Sequence, residues 1–361
     1  MRIALSYWGK TGYQKNWIIK KYCSVKETVK ILKKWKPLLL SLALGSDAAY
    51  AQQAEWTMIT PLTPAIDYVS IYQDMIERIE ERTDGDVKIT LLTYGQHPFK
   101  DIDMVNAVKD NIVQIGNFAD GYISSVEPSV LIMGMPFIFD NLEHAKTTFA
   151  DLQEGFYAEL FDEKFNSQPL TGFIVSGSAI HADVPLTDEN SLKGRKIRVF
   201  GKESGEMIEL LGGSPSTVSF GELYTALQRG TIDGALTGMI GAKAAKIYEV
   251  VDHNTWWNWS FPAEFTIVNN DALAALTDEQ RAIVLEEGER ASAELQALQD
   301  ALPPQILAEA LEEYGISAHG LSDSTRAKFR EKTRPVVDDW LERSGDYGQR
   351  AYEIYENVSR N

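Results

Sequence analysis

The chain has 361 residues, 52 acidic against 35 basic, and 44% of its side chains are hydrophobic, enough apolar material for two modest cores and too much for a disordered tail. Its first 51 residues hold ten Lys or Arg and only two acids, Glu27 and Asp47, which leaves 25 basic and 50 acidic residues beyond them, a net charge of −25. A body so acidic repels nucleic acid and anionic lipid, which argues against either as a partner.

The basic stretch 26–36 runs into the apolar segment 37–44, and Ala49, Tyr50 and Ala51 stand just before Gln52. A positive region, an apolar run too short to span a bilayer and a small-x-small cleavage site together predict a secretory signal. Residues 1–51 are therefore expected to be removed on export to the periplasm, with residues 1–25 an extension that no part of a signal explains. The other reading of this stretch is a short buried helix followed by a loop. Cys23 is the only cysteine, so the mature chain would carry no thiol and be indifferent to an oxidising compartment. No later segment is apolar over the length of a membrane span, so a soluble mature protein is expected.

The body opens with a short strand at 56–60 and a helix at 68–83, on which Ile71, Met75 and Ile79 share a face. Asp84, Gly85 and Asp86 form a turn, 87–93 alternates as a strand, 101–109 is helical and 112–118 is a third strand. This alternation implies parallel strands with right-handed crossovers. The apolar run 133–139 is a loop or strand end packed on the core. A second α/β unit starts near 172–176, with strands at 196–199, 215–218 and 232–236 and a helix at 203–211 ended by Gly212 and Gly213. Ser219 and Glu222 have capping-box spacing ahead of a helix that stops at Gly230. Thr277 and Gln280 form another box, opening a helix with an apolar seam that Pro303 and Pro304 should kink or end. Helices at 306–314 and 325–341 complete the chain.

Motifs for catalysis are missing. His97, His144, His181, His253 and His319 have no zinc-type spacing, and there is no phosphate loop, nucleophile elbow or dinucleotide fingerprint. No catalytic residue, metal or cofactor is expected.

Three pieces in order, 192–199, 211–215 and 220–234, resemble the signature block of DctP-type solute-binding proteins of TRAP (tripartite ATP-independent periplasmic) transporters. Weaker echoes stand at 81–85, 136–145 and 276–280. The resemblance implies an α/β, two-lobed periplasmic solute-binding protein fold with crossing strands and a long spanning helix. Lobe 1 would comprise 52–172 plus about 265–300, lobe 2 would comprise 173–264, and helices of 301–361 would pack on both. A ligand would sit in the cleft, the lobes would close on it, and the closed form would dock on TRAP membrane permease subunits.

Arg198 matches the family arginine that grips a ligand carboxylate, a role suited to a planar, permanently charged fork. Phe220 matches a position packed against the ligand. Many acid-binding relatives carry a second arginine where Ser178 stands here, and an asparagine where Thr237 stands. Both departures weaken the grip on strongly anionic ligands and make a dicarboxylate or sugar acid a poorer candidate. Trp256, Trp257, Trp259 and Phe261 put four large rings within six residues. In an extended segment Trp257, Trp259 and Phe261 would point one way, and Trp259 falls in register with a ligand contact. Asp101, Asp67, Phe118 and Asp120 are the candidates for the opposite wall.

The leading expectation is a TRAP solute receptor that holds a small organic carboxylate on Arg198 under an aromatic lid. The alternative ligand is a small amine or amino alcohol, boxed by Trp259 and acids through cation–π contacts. Other classes that the residues leave open are a secreted two-lobed enzyme and an extracellular sensor or adhesion module.

Overall fold

The computed structural model describes residues 53–100, 102–176 and 178–360. The stretch expected to be an export signal and Asp101 lie outside the described residues.

Eleven strands form two sheets. The first contains β1 (Ala54–Ile59), β2 (Val87–Leu92), β3 (Ile115–Ala119), β4 (Ser167–Ile174) and β10 (Ala263–Asn269), in the order β2-β1-β3-β10-β4. The second contains β5 (Ser178–Ala182), β6 (Lys196–Val199), β7 (Ser214–Thr217), β8 (Gly234–Gly238), β9 (His253–Trp256) and β11 (Ser317–Gly320), in the order β11-β9-β5-β8-β6-β7. In the first sheet β1 pairs in parallel with β2 and β3, while β10 runs antiparallel between β3 and β4. In the second, β6 is parallel to β7 and β8, and β5 is antiparallel to β8 and β9.

Two short segments cross between the sheets, from β4 to β5 after Ile174 and from β9 to β10 across 257–262, and the chain crosses again between β10 and β11. Two long helices straddle both lobes. The helix Asp278–Glu313 ties Glu287 to Arg78 beside the first sheet and Glu309 to Lys243 beside the second. The helix Asp323–Arg360 inserts Phe329 between Phe137 and Trp257, and its Trp340 indole donates to the Pro128 carbonyl at 2.6 Å.

Residues 167–174 form the outer strand of the first sheet, and β5 is the first strand of the second. An open sheet edge exposes unpaired backbone groups. Here the long helix covers it. Ser292, Gln296 and Gln299 accept from the backbone N–H of Gly172, Ile174 and Ser176 at 3.0, 3.1 and 3.0 Å. Gly288 permits the approach, because a Cβ there would collide with the Leu170 carbonyl.

Several expectations need correction. The third strand starts at Ile115, not 112, because Asn111 adopts φ 53 and the amides of Ile112 and Val113 turn back to Ala107. Ser219 makes no helix cap. Its hydroxyl bonds the Glu222 carboxylate at 2.7 Å across a tight turn, Phe220–Glu222, and the helix begins at Leu223. Pro303 and Pro304 do not end the long helix, which continues to Glu313 and absorbs the helix expected at 306–314. The last helix extends to Arg360, with a break at Gly345, φ 57. The Thr277–Gln280 capping box is present as expected.

Among the described residues no helix is long and apolar enough to cross a membrane, and no group of three or more His, Cys, Asp or Glu could hold a metal.

Candidate ligand-binding site

A cavity of about 110 Å3 lies where the carboxyl ends of the parallel strands of both sheets meet. Crevices of this kind form where neighbouring strand connections diverge to opposite faces. The first lobe contributes the turn after β1 through Leu62 and Ile66, the helix Asp67–Arg82 through Tyr68, and the end of β3 through Ala119 and Tyr122. The second contributes Arg198 and Phe200 from the end of β6, Phe220, and Thr237 and Gly238 from the end of β8. The two crossing segments close the remaining sides with Val175, Ser178, Trp259 and Pro262.

Arg198 is buried, 3% exposed, yet no carboxylate among the described residues pairs with it. Its Nε donates to the Val218 carbonyl at 3.0 Å and its Nη1 to the Leu236 carbonyl at 2.8 Å. Strands β7 and β8 flank β6, so the carbonyls that aim the guanidinium come from either side of it. Burial pulls its pKa down, and the Tyr122 hydroxyl, hydrogen-bonded to it, works the other way. An arginine has ample margin above neutrality and stays charged. The guanidinium carbon sits 5.5 Å from the Phe200 ring centre, and Phe200 leans on Trp259 with ring centres 5.9 Å apart. Arg198 thus stands as a fixed, desolvated cation at the wall of a largely apolar cavity, with no carboxylate partner among the described residues.

The signature residues around it serve the backbone. Asp233 clamps β6 by accepting from the Lys196 N–H at 2.7 Å, while its own N–H donates to the Lys196 carbonyl. Gly234 leaves room for the His181 carbonyl, which a Cβ would meet at 2.9 Å.

Of the residues named from the sequence, Arg198, Phe220, Thr237, Trp259 and Ser178 line the cavity. Ser178 also donates to the Ser260 carbonyl at 2.8 Å, which fixes one crossing segment to the other. Four described candidates lie elsewhere. Asp67 is exposed on the first helical turn, and the next residue, Tyr68, reaches the cavity. Phe118 points into the first lobe's core against Phe161 and Phe265. Asp120 is fully buried and accepts from the Ala263 N–H at 2.9 Å; burial raises its pKa to about 8. Phe261 packs on Phe139.

The three rings expected on one side face different ways. Strand β9 stops at Trp256 and Asn258 adopts φ 43, so alternation fails across 257–261. Trp257 is in the second lobe's core, its indole donating to the Leu186 carbonyl at 2.8 Å, while Trp259 turns to the cavity.

Sequence reasoning missed Tyr68, Tyr122, Phe200 and Glu264. Phe200 follows Arg198 by two residues on the strand's line, and that alternation was its available signal. Glu264 is a single acid inside an otherwise uncharged strand, Ala263–Asn269, a rare placement unless the group is paired or functional. It lines the cavity, 6% exposed, and burial pushes it to about 7, against a hydrogen bond from Asn117 that draws it down.

A family model described as bacterial extracellular solute-binding protein, family 7 (DctP), matches residues 63–344. The C4-dicarboxylate-binding periplasmic protein DctP of Rhodobacter capsulatus is 26% identical over 315 residues, covering 80% of this chain and 86% of that protein. The extracytoplasmic solute receptor DctP6 of Bordetella pertussis, solved binding pyroglutamic acid, superposes with a TM-score of 0.79 at 20% identity over 84% of this chain and all of the other. A TRAP periplasmic solute-binding protein of Roseobacter denitrificans, solved with β-D-glucuronate, gives a TM-score of 0.75 at 24% identity, covering 83% and 98% of the two chains. At these identities the two structures establish a shared fold.

Proposed function

The chain belongs to family 7 of the bacterial extracellular solute-binding proteins, and from that membership we propose that it is the periplasmic receptor of a TRAP transporter, capturing a small organic carboxylate between its lobes and handing it to the membrane permease. The observation that carries the ligand class is the buried, anion-free guanidinium of Arg198 at the cavity wall. A carboxylate would supply the missing charge through two parallel hydrogen bonds, a charge-assisted contact strengthened by the dry surroundings. Relatives named for dicarboxylate, pyroglutamate and glucuronate are consistent with an acid.

Of the acids suggested for the amine reading, Asp67 is exposed and Asp120 is turned to a backbone amide. Membership in a family of receptors sets aside the enzyme reading. Closure of the lobes would follow from the ligand touching both, because only the closed state makes both sets of contacts.

A thermal-shift screen of small acids against small amines tests the proposal. Ligand at about 100 times its Kd should stabilise the fold by about 2.7 kcal/mol. Acids raising the melting temperature of the wild type and not of Arg198→Ala is the expected result. Stabilisation by amines alone, or unchanged acid binding by Arg198→Ala, would refute it.

A further inference from the structure

The cavity has a second buried charge-bearing group. Glu264, on β10, lines the wall, and neither a lysine nor an arginine among the described residues pairs with it. Arg198, on β6 of the other sheet, likewise has no carboxylate partner among the described residues, and the two do not pair with one another. An isolated buried carboxylate is costly, and so is an isolated buried cation. Taken together, the walls offer one positive and one negative end, and the solute that neutralises both carries one charge of each sign.

Resting on the assignment of Arg198 to a ligand carboxylate, we propose that Glu264 is a specificity-determining residue that selects solutes bearing a protonated nitrogen as well as a carboxylate, that is, small zwitterionic amino acids. The groups around Glu264 fit this role. Tyr68 and Tyr72 feel its charge from the helix Asp67–Arg82, and both phenols are held neutral by burial. Tyr72 accepts from Asn117 at 3.0 Å, and Gln299 donates to Tyr68. Asp120 also feels Glu264, and burial, which raises its pKa to about 8, keeps it largely protonated near neutrality, so it supplies no countercharge. Burial pushes the Glu264 carboxyl up to about 7. An ammonium binding beside it would require the ionised form, so capture below that pH must expel a proton.

The experiment measures affinities of wild type, Glu264→Gln and Arg198→Lys by calorimetry. The probes are small α-, β- and γ-amino acids and proline, each paired with the acid of the same skeleton that has oxygen in place of nitrogen. In the wild type at about pH 8, at least one amino acid should bind about ten-fold or more tightly than its oxygen counterpart, the range expected of a buried charge-assisted hydrogen bond. Glu264→Gln should bring that ratio close to one. Lowering the pH to about 6 should shrink the wild-type ratio by up to about ten-fold. That pH arm needs no variant to fold. Arg198→Lys should weaken both members of every pair. If oxygen acids bind the wild type as tightly as amino acids throughout, or the ratio survives Glu264→Gln, the role of Glu264 is overturned and the arginine assignment stands. If no carboxylate of either kind binds, both fall.

Discussion

The backbone carbonyl of Gln299 accepts a hydrogen bond from the hydroxyl of Ser176. In an α-helix that carbonyl would take the N–H of the residue four positions on, which here is Pro303 and has none. The proline therefore frees an acceptor inside a continuous helix, and the segment that crosses between the sheets uses it. The same glutamine accepts the Ser176 N–H on its side chain and donates to Tyr68 at the cavity wall. One residue of the long helix thus connects a crossing segment to the ligand site.

Ser176→Ala should cost about 1–3 kcal/mol in urea unfolding, because it leaves a buried carbonyl unsatisfied. The loss should be smaller in a Pro303→Ala background, where the restored N–H can bond Gln299. A double-mutant cycle should give a coupling of about 0.5–3 kcal/mol. Additive losses would mean that the proline and the serine are unrelated.

Replacing Arg198 by lysine should weaken acid binding by about 2–5 kcal/mol. A lysine ammonium is a point charge on a flexible stem. It cannot reproduce the planar fork aimed by the Val218 and Leu236 carbonyls. Calorimetry with the best acid of the screen reads this directly, and an affinity within about two-fold of wild type would contradict it.

Gly241 stands over the cavity where a Cβ would meet the Thr237 hydroxyl at 2.9 Å and the Phe220 ring at 3.3 Å. Gly241→Ala should push these two wall residues inward and lower ligand affinity. The folded protein should lose little stability, since the space taken is cavity rather than core. Equal affinity in the variant would show that Phe220 and Thr237 stand clear of the ligand.

Asp120 and Glu264 make stability depend on pH with a definite sign. Both carboxyls are raised by burial, to about 8 and about 7, from ordinary values of 3.8 and 4.5. Between those limits the folded state holds more protons than the unfolded chain, so their contribution is full below about pH 4 and is lost as pH climbs through 7 and 8. Asp120→Asn, which keeps an oxygen for the Ala263 amide, should flatten the decline between about pH 4 and pH 8 in pH-dependent denaturation. A decline unchanged in the variant would locate its origin elsewhere.

Legibility followed the range of the interactions. The helix Asp67–Arg82, the strand Lys196–Val199 and the Thr277–Gln280 box were readable because periodicity, β-branching and capping act within a few residues. Arg198 was reached through the resemblance, which fixes a position by its neighbours in the chain. Tyr68 was missed by one residue, because which residue of a first helical turn faces a cleft depends on where the helix docks. The tryptophans misled for a related reason: the left-handed Asn258 breaks an alternation that the residue types alone suggest. Pro303 and Pro304 carry a local instruction to end the helix, and a hydroxyl from residue 176 helps to override it.

The amino-acid order by itself determined an acidic α/β chain with the signature of one receptor family, since composition, periodicity and short motifs are properties of neighbouring residues. Only the tertiary structure decided that Arg198 has no carboxylate partner among the described residues, that Asp120 turns inward while Glu264 faces the cavity, and that Trp257 and Trp259 part company. Those are facts about burial and partners far apart in the chain, and the energy of a charge or a ring is set by what surrounds it in space.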